Sequence, residues 1–212
     1  MFLEIPVGVF IFIGVVLFII AAFIGLIILL KYIDKKRIKK MFSNVQELLN
    51  RIVIQDRDNS ELIKIEYDAK KVQKPAYDFI LVTKGYRYYI KVVDNRSGYE
   101  ICVNNSVKWQ IRKSFNDTSM NFVPNIEELM RMELPNQYDE RQPKKLYIVY
   151  PGARSLLRYI NECEMEFVHP TTDVYGTNII TYNDLNENID FIPRNYKKKD
   201  KDDKNTQLSL KI

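Results

Sequence analysis

The chain has 212 residues, with 32 Lys and Arg against 27 Asp and Glu, two cysteines and one histidine. A lone histidine excludes metal centres built from several histidines, and two cysteines are too few for a disulfide-rich scaffold. Residues 42–196 carry 20 bases and 22 acids, so the net charge of +5 comes from the two ends of the chain and does not indicate a nucleic-acid-binding surface over the whole protein.

The N-terminus carries an apolar segment. Residues 6–30 contain no charged or strongly polar side chain. As a helix this run is roughly 37 Å long, and the hydrocarbon core of a bilayer is about 30 Å thick. A cleaved signal peptide is the alternative, but it begins with a base and has a shorter apolar region, whereas this chain begins with Met1 to Glu4. We therefore expect residues 1–30 to form a transmembrane signal anchor.

A basic juxtamembrane segment, residues 31–44, follows. Bases flanking a span stay on the cytoplasmic side, which predicts a single-pass protein of the cell membrane with its N-terminus outside. The same bases are expected to contact anionic lipid headgroups. They are Lys31, Lys35, Lys36, Arg37, Lys39 and Lys40. Ala21 and Gly25 have the small-xxx-small spacing that favours a homodimer through the transmembrane helix.

Residues 45–195 are predicted to form one cytoplasmic α/β domain around a single mixed sheet. Apolar spacing predicts an amphipathic helix over residues 38–52. Periodicity and turn residues then predict, in chain order, strands at 62–67, 77–83, 86–93 and 99–103, a helix or strand at 106–114, a helix at 125–134, a strand at 145–150, a helix at 154–165, and strands at 166–169 and 178–182.

The hairpin over residues 77–98 is the most distinctive part of this domain. It reads Tyr77-Asp-Phe-Ile-Leu, then Lys84-Gly85, then Ile90-Lys-Val-Val-Asp-Asn-Arg-Ser-Gly98. In this order of Asp, glycine turn, returning strand and Ser-Gly, it resembles the PD-(D/E)XK nuclease superfamily, and within it the nuclease-related domain. The resemblance implies a restriction-endonuclease-like mixed sheet flanked by helices, with two carboxylates holding Mg²⁺ and a lysine beside the reacting phosphate.

The resemblance places Asp78 at the first metal-ligand position, but this chain departs from the pattern at the next two. Lys91 stands where the family has its acidic ligand, and Val93 where it has its lysine. Residues 91 and 93 share one strand face, so the side chains of both Lys91 and Val93 would point towards the site. We therefore expect Asp78 and Lys91 to form an ion pair and catalysis to be absent.

An active enzyme is the alternative. Lys91 would then serve as the catalytic lysine, and a second carboxylate from Glu66, Asp94 or Glu100 would complete an Mg²⁺ site with Asp78.

The C-terminal tail, residues 196–212, is highly charged and predicted to be disordered. Its end is similar to the short motif by which bacterial replication and repair proteins dock on the sliding clamp, although the aromatic residue of that motif is missing. The residues that carry this similarity are Gln207, Leu208, Leu210 and Ile212.

Three functional hypotheses follow. The first is a membrane-anchored, non-catalytic nuclease-like domain that binds or scaffolds a protein or nucleic acid. The second is an active membrane-tethered, Mg²⁺-dependent nuclease with a rearranged site. The third is an unrelated membrane-anchored α/β adaptor protein.

Overall fold

The computed structural model of the chain describes residues 7–57, 60–65, 75–96, 98–114, 116–117, 121–134, 141–161 and 164–194. By its internal contacts the chain divides into two compact units, Met1–Asn44 and Val45–Ile212. We describe each unit by itself.

The first unit is helical. The first helix of the chain, α1, spans Val7–Gln55. Every side chain from residue 12 to residue 30 is exposed, including Phe18 at 75%. An apolar helix with no protein around it is expected where lipid provides the contact. By its length and composition this helix can cross a membrane, and no other helix of the described residues can.

The second unit is an α/β domain. After α1 its elements lie, in chain order, at Glu61–Lys64 (β1), Phe79–Val82 (β2), Tyr86–Asp94 (β3), Glu100–Val103 (β4), Trp109–Arg112 (β5), Ile126–Arg131 (α2), Gln142–Tyr150 (β6), Leu156–Asn161 (β7), Glu164–Phe167 (β8), Asp173–Val174 (β9), Thr177–Thr181 (β10) and Tyr182–Glu187 (α3), with a 3-10 helix at Ile189–Phe191.

The larger sheet has six strands in the order β1-β2-β3-β6-β10-β9. Strands β1, β2 and β3 are antiparallel neighbours, whereas β6 runs parallel to both β3 and β10. The β2–β3 hairpin is therefore where it was predicted, with Phe79 opposite Ile90. On the other side of β3, the neighbouring strand is β6, and Tyr147 of β6 lies beside Lys91 of β3.

A second sheet contains four strands in the order β5-β4-β7-β8, so the prediction of one sheet was wrong. The helix predicted at 154–165 was wrong as well, because β7 and β8 occupy most of this segment. Leu156 and Leu157 pair in parallel with Ile101 and Cys102 of β4. This distant partner outweighs local helix preference, which is a weak determinant in short segments. The undecided segment 106–114 contains strand β5.

One hydrophobic core joins the two sheets and α2. Strand β3 contributes Tyr89 and Val93, β6 contributes Tyr147 and Val149, and the four-stranded sheet contributes residues including Trp109. By strand alternation, Lys91 belongs to the same face as Tyr89 and Val93. This face is the one that positions the candidate site.

The end of α1 belongs to the domain. Val45, Leu48, Leu49 and Ile52 are fully buried there, as the predicted amphipathic pattern requires. The neighbouring polar side chains bond to the segment after β10: Arg51 donates to Asn186, and Arg194 donates to Gln55.

Replacing Ile101 by Ala tests the four-stranded sheet. Ile101 is fully buried on β4, so we expect the free energy of unfolding to fall by about 2–5 kcal/mol. Ile160, on β7 of the same sheet, is 42% exposed, and Ile160→Ala should change this free energy by no more than about 1 kcal/mol. Urea unfolding of the full chain in detergent, followed by the fluorescence of the single Trp109, measures both. An equal loss of unfolding free energy in the two variants would contradict the burial of Ile101 in this sheet.

Candidate functional site

Asp78 lies immediately before β2 and is fixed by its backbone. Its N–H donates to the Ile90 carbonyl at 2.7 Å, and its own carbonyl accepts from the Ile65 N–H at 3.0 Å. Its side chain is equally constrained, since Oδ2 accepts from the Val92 N–H at 2.8 Å. The carboxylate is thereby held against strand β3.

Lys91 is placed between two carboxylates. Its Nζ lies 3.8 Å from Oδ1 of Asp78 and 3.4 Å from Oε2 of Glu128, and it also approaches the Pro75 carbonyl at 3.5 Å. The predicted ion pair of Asp78 and Lys91 is therefore present, and a third charged residue joins it. We call Asp78, Lys91 and Glu128 the charged triad.

The triad is largely shielded from solvent. The side chain of Lys91 is 14% exposed, that of Asp78 18% and that of Glu128 32%. Burial raises the pKa of Asp78, whereas the Lys91 ammonium and the Val92 N–H lower it, and Glu128 raises it further. Burial has the largest effect, and the Lys91 ammonium is the largest of the two effects that favour the carboxylate.

Helix α2 brings Glu128 to the site, and strand β6 holds α2 in place. The Tyr147 hydroxyl donates to the Ile126 carbonyl at 2.5 Å, and burial raises the pKa of this tyrosine. Lys145 Nζ donates to the Met130 carbonyl at 2.7 Å, a favourable position for a cation near the C-terminal end of a helix. These anchors set which helix residues face Lys91.

The donor set does not fit a divalent metal. Mg²⁺ requires oxygen ligands at about 2.0–2.1 Å in octahedral geometry, and here an ammonium stands between the two carboxylates. Two unit charges at about 4 Å interact by roughly 4 kcal/mol at an effective dielectric constant near 20, and a divalent ion doubles this repulsion. In the described part of the chain, no group of three or more His, Cys, Asp or Glu side chains has the geometry of a metal site.

Val93, at the position where the resemblance would place a lysine, is part of the core. It is only 4% exposed. A lysine at this position would have to extend through packed side chains.

The other acids considered lie elsewhere or outside the described residues. Glu100 pairs with Arg112 in the second sheet at 3.5 Å. Asp94 lines a separate cavity of about 270 Å³ with Arg96 and Lys113. Glu66 lies outside the described residues.

The remaining predicted contact residues are at the two ends of the chain. The clamp-like residues Gln207, Leu208, Leu210 and Ile212 lie outside the described residues, so the clamp contact stays a prediction. The juxtamembrane bases belong to α1, where Arg37 is half-buried and the others, Lys31, Lys35, Lys36, Lys39 and Lys40, are exposed.

Glu128 is the residue that sequence reasoning missed. It lies in the predicted helix 125–134, next to Glu127, and two acids in a first helical turn are already explained by the helix dipole. In the structure α2 buries Ile126, Leu129 and Met130. The predicted helix alone did not show which of its flanks would face β3.

Replacing Lys91 by Met tests the triad. Without the ammonium the pKa of Asp78 should rise further, because the group that most favours its carboxylate is gone. A carboxyl group whose pKa is higher in the folded than in the unfolded state destabilises the fold once the pH exceeds the unfolded value. We expect a loss of about 2 kcal/mol at pH 8 and a smaller loss at pH 5, measured by urea unfolding.

The exposed Lys64 of β1 supplies the matched control. Lys64→Met should change the unfolding free energy by less than about 0.5 kcal/mol at both pH values. A Lys91→Met protein as stable as the parent at pH 8 would contradict the proposed dependence of Asp78 on Lys91.

No protein-family model, curated protein or solved structure matches this chain. What the site does is therefore inferred from the chemistry of Asp78, Lys91 and Glu128.

Proposed function

We propose that this chain is a membrane-anchored protein whose α/β domain is a non-catalytic binding or scaffolding module. The observation that carries this proposal is the position of Lys91, whose ammonium lies within 4 Å of both Asp78 and Glu128. With an ammonium between its two carboxylates, the site repels a divalent ion at the position where the carboxylates would bind it. The domain would then act by binding a partner through its surface, and not by catalysis.

A nuclease-like origin of this domain is part of the proposal. Its support is the β2–β3 hairpin, in which Asp78 and Lys91 flank a glycine turn as the sequence resemblance requires. A restriction-endonuclease-like scaffold would account for the charged site beneath α2, as a former metal site that has lost its metal. The partner is then a protein or a nucleic acid that the original scaffold accommodated.

The alternative is an active nuclease, and Glu128 is the observation that favours it. Asp78 and Glu128 supply two carboxylates and Lys91 supplies a lysine, which is the residue set that metal-dependent phosphodiester hydrolysis uses. For this chemistry the Lys91 side chain would have to leave the space between the carboxylates when metal binds. Its low exposure and its contact with the Pro75 carbonyl oppose that movement.

A metal-binding experiment separates the two proposals. The full chain in detergent should show no saturable Mn²⁺ binding by electron paramagnetic resonance and no Mg²⁺- or Mn²⁺-dependent cleavage of DNA or RNA. Lys91→Ala should acquire Mn²⁺ affinity, because it removes a repulsion of about 8 kcal/mol and frees two carboxylates.

The double variant Asp78→Asn/Lys91→Ala is the control and should lose this acquired affinity. Metal-dependent cleavage by the unmodified chain that disappears in Asp78→Asn would refute the non-catalytic proposal and establish the active nuclease.

The proposed orientation has its own test. A C-terminal epitope tag should resist protease in sealed cells and be digested in inverted membrane vesicles, because the bases after the apolar segment favour the cytoplasmic side. Replacing Lys35, Lys36, Lys39 and Lys40 by Glu should raise the fraction of tag digested from outside. A tag digested in sealed cells expressing the unmodified chain would show the opposite topology.

A further inference from the structure

A basic cavity lies at one edge of the six-stranded sheet, apart from the charged triad. Its volume is about 350 Å³, and the described residues that line it include four bases and one acid. The bases are Arg57, Lys84, Arg87 and Arg141, and the acid is Glu61. Since residues 42–196 carry slightly more acids than bases, this excess of positive charge does not follow from composition.

Three strands and a turn build the cavity. Glu61, Val82 and Arg87 are direct neighbours across β1, β2 and β3, so their side chains share one face of the sheet. Lys84 lies in the β2–β3 turn, which is closed by the bond from the Thr83 N–H to the Tyr86 carbonyl at 2.8 Å. The positions of these charges are therefore set by regular backbone structure.

Arg141 is fixed beside this turn. Its Nε donates to the Thr83 carbonyl at 2.9 Å, and the next residue, Gln142, donates its N–H to the Gly85 carbonyl at 3.0 Å. These bonds tie the start of β6 to the hairpin and bring a guanidinium to the cavity wall. Arg57 approaches from the turn that follows α1.

We propose that this cavity binds a phosphate-bearing ligand, either a free phosphate compound or the phosphorylated headgroup of a lipid. Guanidinium groups match phosphate oxygens with paired, charge-assisted hydrogen bonds, and lysine adds a point charge. Among the described residues that line the cavity, four bases against one acid give a net positive charge, which is the complement of a phosphate that carries more than one negative charge. The charged triad, with two carboxylates and one ammonium, has the opposite sign and would repel the same ligand.

This site goes beyond the proposed function and does not depend on whether the triad cleaves nucleic acid. None of the described residues that line the cavity belongs to the triad. Loss of ligand binding at the cavity and appearance of cleavage at the triad are therefore separate results.

Calorimetric titration of the full chain in phosphatidylcholine nanodiscs with inorganic pyrophosphate tests the free ligand. We expect saturable binding that weakens as salt is added, because the contact is ionic. Arg57→Gln and Lys84→Gln, both at exposed positions, should each weaken binding by about tenfold, the usual effect of losing one charge-assisted bond. Arg131→Gln, an exposed arginine of α2, is the matched control and should leave binding unchanged.

Flotation with liposomes tests the lipid source. Phosphatidylcholine liposomes containing phosphatidylinositol bisphosphate are compared with liposomes of equal charge containing phosphatidylserine. Capture that requires the phosphoinositide, and that falls in Lys84→Gln but not in the control Arg131→Gln, assigns the site to a lipid headgroup.

Two results would overturn the proposal. One is binding of neither pyrophosphate nor phosphoinositide liposomes by the unmodified chain. The other is binding that both Arg57→Gln and Lys84→Gln leave unchanged while Trp109 fluorescence shows that the variants are folded.

Discussion

An ammonium group held between two carboxylates is the interaction on which the α/β domain depends. Lys91 lies between Tyr89 and Val93, two residues of the hydrophobic core on the same face of β3, and Glu128 of α2 pairs with it. A charge in such a place is costly unless it is paired, and removing one partner leaves the others desolvated and unpaired. The triad therefore links the start of β2, the middle of β3 and helix α2 through charges that each require the others.

The same pairing limits what the site can do. Asp78, Glu128 and Lys91 are residue types that metal-dependent phosphodiester hydrolysis uses, but here the cation between the carboxylates is covalently part of the chain. It cannot be exchanged for a metal unless a shielded side chain moves into solvent. The basic cavity at the sheet edge is different, because its positive charges line open space where a ligand can enter. The domain thus separates a shielded site, in which an ammonium lies between two carboxylates, from a basic cavity.

The sequence predicted the parts of this structure that depend on local pattern. Alternation and a glycine turn located the β2–β3 hairpin, and the resemblance, which places Lys91 at the position of an acidic ligand beside Asp78, predicted their ion pair. The apolar run and the amphipathic pattern after it both lie in α1. In each case the signal is carried by residues that are neighbours in sequence or across a short turn.

The parts that were missed depend on distant partners. Leu156 pairs with Ile101, 55 residues earlier, and that pairing turns a helix-like segment into a strand of a second sheet. Glu128 reaches Lys91 because Tyr147 and Lys145 of β6 bond to the carbonyls of α2. Neither the strand pairing nor these hydrogen bonds produces a periodic pattern in the sequence, so they could not be predicted from one sequence.

Anomalous diffraction from crystals of the full chain soaked in Mn²⁺ tests the central claim most directly. The account predicts the Lys91 ammonium between Asp78 and Glu128, with no anomalous peak bonded to either carboxylate. A manganese peak at coordination distance, about 2.1 Å, from oxygens of both residues, with the Lys91 side chain displaced, would contradict it.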